Sequence, residues 1–70
     1  MHKVVFIEVI FNFWKNSYKK LDEKEMNIVP MKGDVIQRQG ENWEVVLRRF
    51  VFDSEKGDYI KIFMRPYKIV

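Results

Sequence analysis

Seventy residues make room for one domain, spanning 1–70, and the absence of cysteine removes disulfides and thiolate metal sites as ways of holding it together. With a single histidine, His2, no imidazole zinc site is expected either, so no metal or cofactor is anticipated, and packing or oligomerisation has to offset an ordering cost on the order of 100 kcal/mol. The 47% hydrophobic and 16% aromatic content supplies packing material, the net charge of +3 permits a nucleic acid or acidic partner without requiring one, and the lack of cysteine points to a reducing, cytoplasmic setting.

The N-terminal Met1, His2 and Lys3 lead into an apolar run that Glu8 interrupts, with no small-residue cleavage site after it. The run over residues 4–14 is short of the roughly 20 residues a membrane helix needs, and no membrane association is expected. Instead, residues 3–15 alternate as a strand. Val5, Ile7, Val9, Phe11 and Phe13 form one face; Val4, Phe6, Glu8, Ile10, Asn12 and Trp14 form the other. Both faces are rich in apolar groups, more than so short a chain readily covers, so Phe6, Ile10 and Trp14 are candidates for self-association.

Residues 16–29 allow two readings. Ser17 or Asp22 could start a short helical turn, or the charged residues 19–25 could form the polar tip of a long hairpin that returns over 26–29. Leu21 and Met26 make a thin apolar stripe for a helix, which favours the hairpin. Pro30, Gly33 and Asp34 mark a turn, residues 35–39 a short strand, and Gly40, Glu41 and Asn42 a second turn. A long strand over 43–53 then meets its return over 58–65 through a turn at 54–57, where Gly57 suits positive φ. Pro66 closes the strand or marks a sheet edge.

If Asp53 faces Asp58, Phe52 faces Tyr59, Val51 faces Ile60 and Arg49 faces Ile62. Alternation then gathers Val45, Leu47, Val51, Ile60, Ile62 and Met64 on a core face, with Arg49 as the exception. The other face interleaves aromatic and basic groups. Its candidate binding residues are Arg48, Tyr59, Lys61, Phe63, Arg65 and Tyr67. Bases could stack on such rings while the cations hold phosphates, or the rings could be covered by another strand, a second subunit, or the stems of the basic side chains. A bulge at Arg48 and Arg49 would release both arginines to solvent and thin the platform.

Catalytic chemistry is not indicated. His2 has no partner, Ser17 and Ser54 lie in no nucleophile motif, and Asp53, Glu55 and Asp58 are too closely spaced for a calcium loop that also contains Lys56. No enzyme activity and no small-molecule substrate are expected.

Residues 29–36, read Val-Pro-Met-Lys-Gly-Asp-Val-Ile, followed by Trp43, Glu44, Val45 and Val46, resemble small SH3-like barrel proteins of bacteria, phages and mobile elements. In these a Pro-x-x-Gly-Asp turn opens a short strand and a glycine hairpin. The resemblance spans residues 29–65 and implies the fold; it brings no activity and no site residues. The long aromatic first strand and the charged segment over 19–25 depart from the pattern. The expectation is an all-β domain: a small antiparallel sheet or partly open SH3-like barrel of four to five strands, with at most one short helical turn. It is expected to be a non-enzymatic interaction protein, joining a second copy as a homodimer or another protein, with nucleic-acid binding as the alternative.

Overall fold

The structure, a computed structural model, describes residues 1–68. Five strands form one sheet: β1 His2–Ile10, β2 Ser17–Met26, β3 Val35–Arg38, β4 Glu41–Val51 and β5 Tyr59–Pro66. Their order across the sheet is β2-β1-β5-β4-β3. The sheet curls into a half-barrel, and no helix occurs among the described residues. The curl shows in one contact: Arg38 of β3 bonds Asp22 of β2 at 2.7 Å, although these strands lie at opposite edges of the sheet.

The all-β, partly open barrel is as expected, with one pairing of a different kind. β1 runs parallel to β5, Val4 opposite Ile60 through Glu8 opposite Met64, while the other three pairings are antiparallel. The sheet is therefore mixed rather than wholly antiparallel. A parallel pair needs a long crossover, and here β2, β3 and β4 all lie within it.

The β-rich composition of β1 explains its central place. Val4, Val5, Phe6, Ile7 and Val9 are all buried, which a strand flanked on both edges and packed on both faces allows. Val4 and Phe6 join Trp43, Val45, Ile60, Ile62 and Met64 on the concave face. Leu21 and Met26 of β2, Ile36 of β3 and Val29 pack onto that cluster. The connection over residues 27–34 thus carries an apolar side chain to the core on its way between the two edge strands. Val5, Ile7, Val9 and Phe63 form a second cluster on the convex face, with Val46 and Tyr59 beside it.

Two irregularities bend the sheet. The register of β1 and β2 shifts between Phe6 and Ile7, which face Asp22 and Lys20 and leave Leu21 as the extra residue. The register of β4 and β5 shifts between Val45 and Leu47, leaving Val46 extra. Bulges increase local twist and bend the strand that carries them. The one in β4 also reverses its alternation: Trp43 and Val45 face the concave core, whereas Leu47 sits opposite Phe63 of the convex cluster.

Several sequence expectations are corrected here. β1 ends at Ile10, not at residue 15, and residues 11–16 form the hairpin tip. The Trp14 N–H donates to the Asn12 carboxamide at 2.9 Å within that tip. The charged residues 19–25 are not a tip but the strand β2 itself. Their charges are tolerated because β2 is an edge strand, and an edge lined with charges resists pairing with other chains. Val51, not Phe52, faces Tyr59, so the predicted register of the last hairpin is displaced. Its connection, residues 52–58, is longer than the four-residue turn expected, and the Asp53 carboxylate accepts from the Glu55 and Lys56 N–H groups within it. The bulge lies at Val46, not at Arg48 and Arg49. Finally, Gln39 and Gly40, with φ of 53° and 80°, make the turn between β3 and β4, so β4 already begins at Glu41. Two consecutive positive φ angles are what a two-residue type I′ hairpin demands.

The turn before β3 matches its sequence signature. Gly33 has φ 94°, the Asp34 N–H donates to the Met31 carbonyl at 3.0 Å, and the Asp34 carboxylate accepts from the Met31 N–H at 2.8 Å. This is a type II turn with glycine where positive φ is required.

Candidate functional site

The predicted aromatic–basic face is divided by the structure. Tyr59, Lys61 and Phe63 share the convex side by alternation along β5. Arg48, opposite Ile62, lies on the concave side, its guanidinium 5.0 Å from the Phe50 ring. Arg49 takes its place on the convex side, opposite Lys61 and 5.2 Å from the Phe63 ring. The displaced hairpin register explains the exchange: with Val51 opposite Tyr59, Arg49 and not Arg48 shares the face of Lys61 and Phe63, and the bulge at Val46 then returns Val45 and Trp43 to the core face. Arg65 is held by Glu44, with nitrogen–oxygen distances of 2.8 and 2.6 Å. Tyr67 lies beyond β5, its N–H donating to the Asn42 carbonyl at 2.9 Å, and it lines a groove with Trp43, Arg38 and Glu8 at one end of the half-barrel.

Phe63 is only 6% exposed. Tyr18 meets it edge-on at 5.7 Å, and the Arg49 guanidinium covers it. Tyr59 is half-buried, with the Lys3 ammonium 6.0 Å from its ring. The convex cluster is thus roofed by amphipathic side chains whose stems lie over apolar groups while their heads reach water. Of the stacking platform, Tyr59 keeps a partly open ring and Phe63 does not.

The three residues expected to self-associate are also separated. Phe6 is 4% exposed and belongs to the concave core, where Arg38 lies 5.6 Å from its ring. Ile10 and Trp14 are exposed at the β1–β2 end.

Two surfaces stand out that the sequence reading had placed inside strands. The first is the tip over residues 11–16, where Phe13 is 91% and Trp14 87% exposed, their rings meeting edge-to-face at 5.1 Å. The second is at the opposite end. β3 pairs only with Glu41 to Glu44 of β4, and the adjoining chain adds two bonds at Val45. Beyond that point the outer edge of β4, residues 46–51, carries no backbone partner among the described residues. Beside that edge stand Phe50, exposed, and Phe52, 81% exposed, which also line a groove that reaches across Tyr59 and Ile60 of β5 to His2 and Lys3 of β1, with Asp58 at its rim. The alternation of Phe50 and Phe52 and the shortness of β3 were visible in the sequence; the open edge was not, since it depends on β1 pairing with β5 and leaving only β3 on the outer side of β4.

Two acids elsewhere are held locally. Glu23 bonds Lys20 and lies 3.5 Å from Lys3, and the Lys20 hydrogen bond holds its carboxyl below the ordinary value of 4.5. The backbone N–H groups of Lys56 and Glu55 hold Asp53 below its ordinary 3.8. The Asp22 Oδ1 atom is buried and has no hydrogen-bond partner, while Oδ2 accepts from Arg38. Among the described residues no group of three His, Cys, Asp or Glu side chains is placed to hold a metal, and no helix is long and apolar enough to cross a membrane. Compared with known proteins, the chain matches no family model, no curated protein and no solved structure.

Proposed function

We propose that this chain is a non-enzymatic interaction module that self-associates through the open edge of β4. The observation that carries this reading is the coincidence of an unpaired strand edge with two exposed rings, Phe50 and Phe52. An edge offers a row of unpaired N–H and C=O groups that another strand satisfies, and exposed rings beside it add apolar area to the same contact. A second copy is the occupant that needs no further component. Two antiparallel β4 edges related by a two-fold axis bring the same groups together from both sides.

Centring that axis on Phe50 sets Arg49 against Val51 of the other copy and Arg48 against Phe52, so no arginine faces an arginine. Size-exclusion chromatography with light scattering tests the reading: the wild-type chain should form dimers as concentration rises, and a Phe50→Ser, Phe52→Ser variant should remain monomeric.

Nucleic-acid binding is the second reading. It is supported by a shallow convex groove where Lys3, Lys20, Lys56 and Lys61 surround Tyr59, with Glu23 the acid among them. A salt titration against a labelled single-stranded oligonucleotide decides it: binding should weaken steeply with salt and fail in a Lys61→Ala, Tyr59→Ala variant.

A further inference from the structure

The tip between β1 and β2 lies at the end of the sheet away from Phe50 and Phe52, because β5 runs parallel to β1 and β4 antiparallel to β5. From Ile10 to Leu21 the chain has four aromatic residues, three lysines and no acid. Residues 11–16 leave the sheet altogether, and Phe13 and Trp14 project from it almost fully exposed. Behind them Phe11 and Tyr18 line a groove that also contains Arg49 and Lys61 and no acidic side chain. The acids at this end of the sheet lie within the ladders, each with a basic residue across from it or bonded to it: Glu8 stands opposite Lys19, Glu41 opposite Arg38, and Glu44 is bonded to Arg65.

From this arrangement we infer that the tip docks on an anionic lipid surface, with Phe13 and Trp14 entering the headgroup region and Lys15 of the tip and Lys19 near the start of β2 facing the anionic heads. Two features favour a bilayer over a folded partner. The rings sit on a protruding loop rather than in a concavity, so a soft surface that closes around them covers more of each ring than a rigid one does. Tryptophan, with an apolar body and one N–H, suits the boundary between headgroups and acyl chains. Lys15 and Lys19 add attraction to anionic lipid, and the combination of inserted apolar groups with basic ones is what interfacial binding requires. Docking by the tip is independent of pairing along β4, since it uses the other end of the molecule.

The test is titration of the full chain with phosphatidylcholine vesicles, with and without phosphatidylserine, followed by co-sedimentation and tryptophan emission. Trp43 is buried in the concave core, so a change on binding reports Trp14. Blue-shifted emission and co-sedimentation with the anionic vesicles are expected, both weakened by salt. A Phe13→Ser, Trp14→Ser variant should bind at least about tenfold more weakly, since two exposed rings lose the area they would bury. Because both side chains project from a loop, its far-ultraviolet circular dichroism should match the wild type. The self-association variant Phe50→Ser, Phe52→Ser should bind vesicles like the wild type, which separates this inference from the pairing of β4. Failure to bind anionic vesicles would overturn it, as would binding that survives the loss of both rings. So would a Trp14 blue shift that follows protein concentration without lipid, which assigns the tip to a second copy, or one produced by a single-stranded oligonucleotide but not by vesicles.

Discussion

At the scale of single residues, stability is concentrated in a few side chains. Ile62, Met64, Val4 and Val45 are fully buried at the centre of the concave core. Truncating Ile62 to alanine should cost about 2–5 kcal/mol in urea unfolding, whereas Phe52→Ser, on the surface, should change stability by no more than about 0.5 kcal/mol. Gly33 is a different kind of control. Nothing lies within 4 Å of a Cβ placed there, yet its φ is +94°, so Gly33→Ala should be destabilising by on the order of 1 kcal/mol through the backbone alone. That turn was legible in the sequence because Pro30, Gly33 and Asp34 each impose a local constraint that holds wherever the segment folds. The exposure of Trp14 was not legible. Local alternation continues from Val4 through Trp14, and nothing in the sequence says that the sheet stops at Ile10.

Residue-scale electrostatics also sets an acid dependence. Glu23 and Asp53 are held below their ordinary values of 4.5 and 3.8 in the folded chain. The folded state therefore binds fewer protons than the unfolded one as pH falls through this range. The stabilisation they give is complete above those ordinary values and is lost as pH drops through the lower, folded values. Both groups are solvent-exposed, so the effect is small, and Glu23→Gln should flatten the decline in melting temperature measured between pH 5 and pH 2.

At the scale of elements, β2 and β4 carry what the sequence did not disclose. Six of the ten residues of β2 are charged, and its segment 19–25 was read as a hairpin tip because charge suggests a loop. An edge strand in solvent needs only one backbone partner, and β1 supplies it. The one-residue displacement of the last hairpin exchanges Arg48 for Arg49 on the convex face and splits the predicted binding set, while the bulge at Val46 returns Val45 and Trp43 to the core face, which unbroken alternation along β4 does not reach. Arg38 and Asp22, a partly buried pair, join the two edge strands across the half-barrel, which the packing of Leu21 and Ile36 on the concave core also draws together. Arg38→Ala should lower stability by about 1 kcal/mol, and a double-mutant cycle with Asp22→Asn in urea unfolding should show coupling of the same order. An additive cycle would mean that the pair merely bridges edges held in place by the core.

At the scale of the whole molecule, one small core is shared between two faces of a curled sheet. The convex side is closed by lysine, arginine and tyrosine side chains rather than by a second layer, and both ends of the sheet keep aromatic rings in water. The all-β class and the approximate strand count could be read from β-branched density and turn residues. The parallel pairing of β1 with β5 could not, because it joins segments more than fifty residues apart with no local signature. That pairing sets which rings share an end of the molecule, and so separates the Phe13–Trp14 tip from the Phe50–Phe52 edge.

Sedimentation velocity over a wide concentration range, run on the wild-type chain and on the Phe50→Ser, Phe52→Ser variant, addresses self-association most directly. Pairing along β4 predicts a reversible shift from monomer to dimer in the wild type and a monomer throughout in the variant. A wild-type chain that stays monomeric at the highest concentrations, or a dimer that persists in the variant, would contradict it.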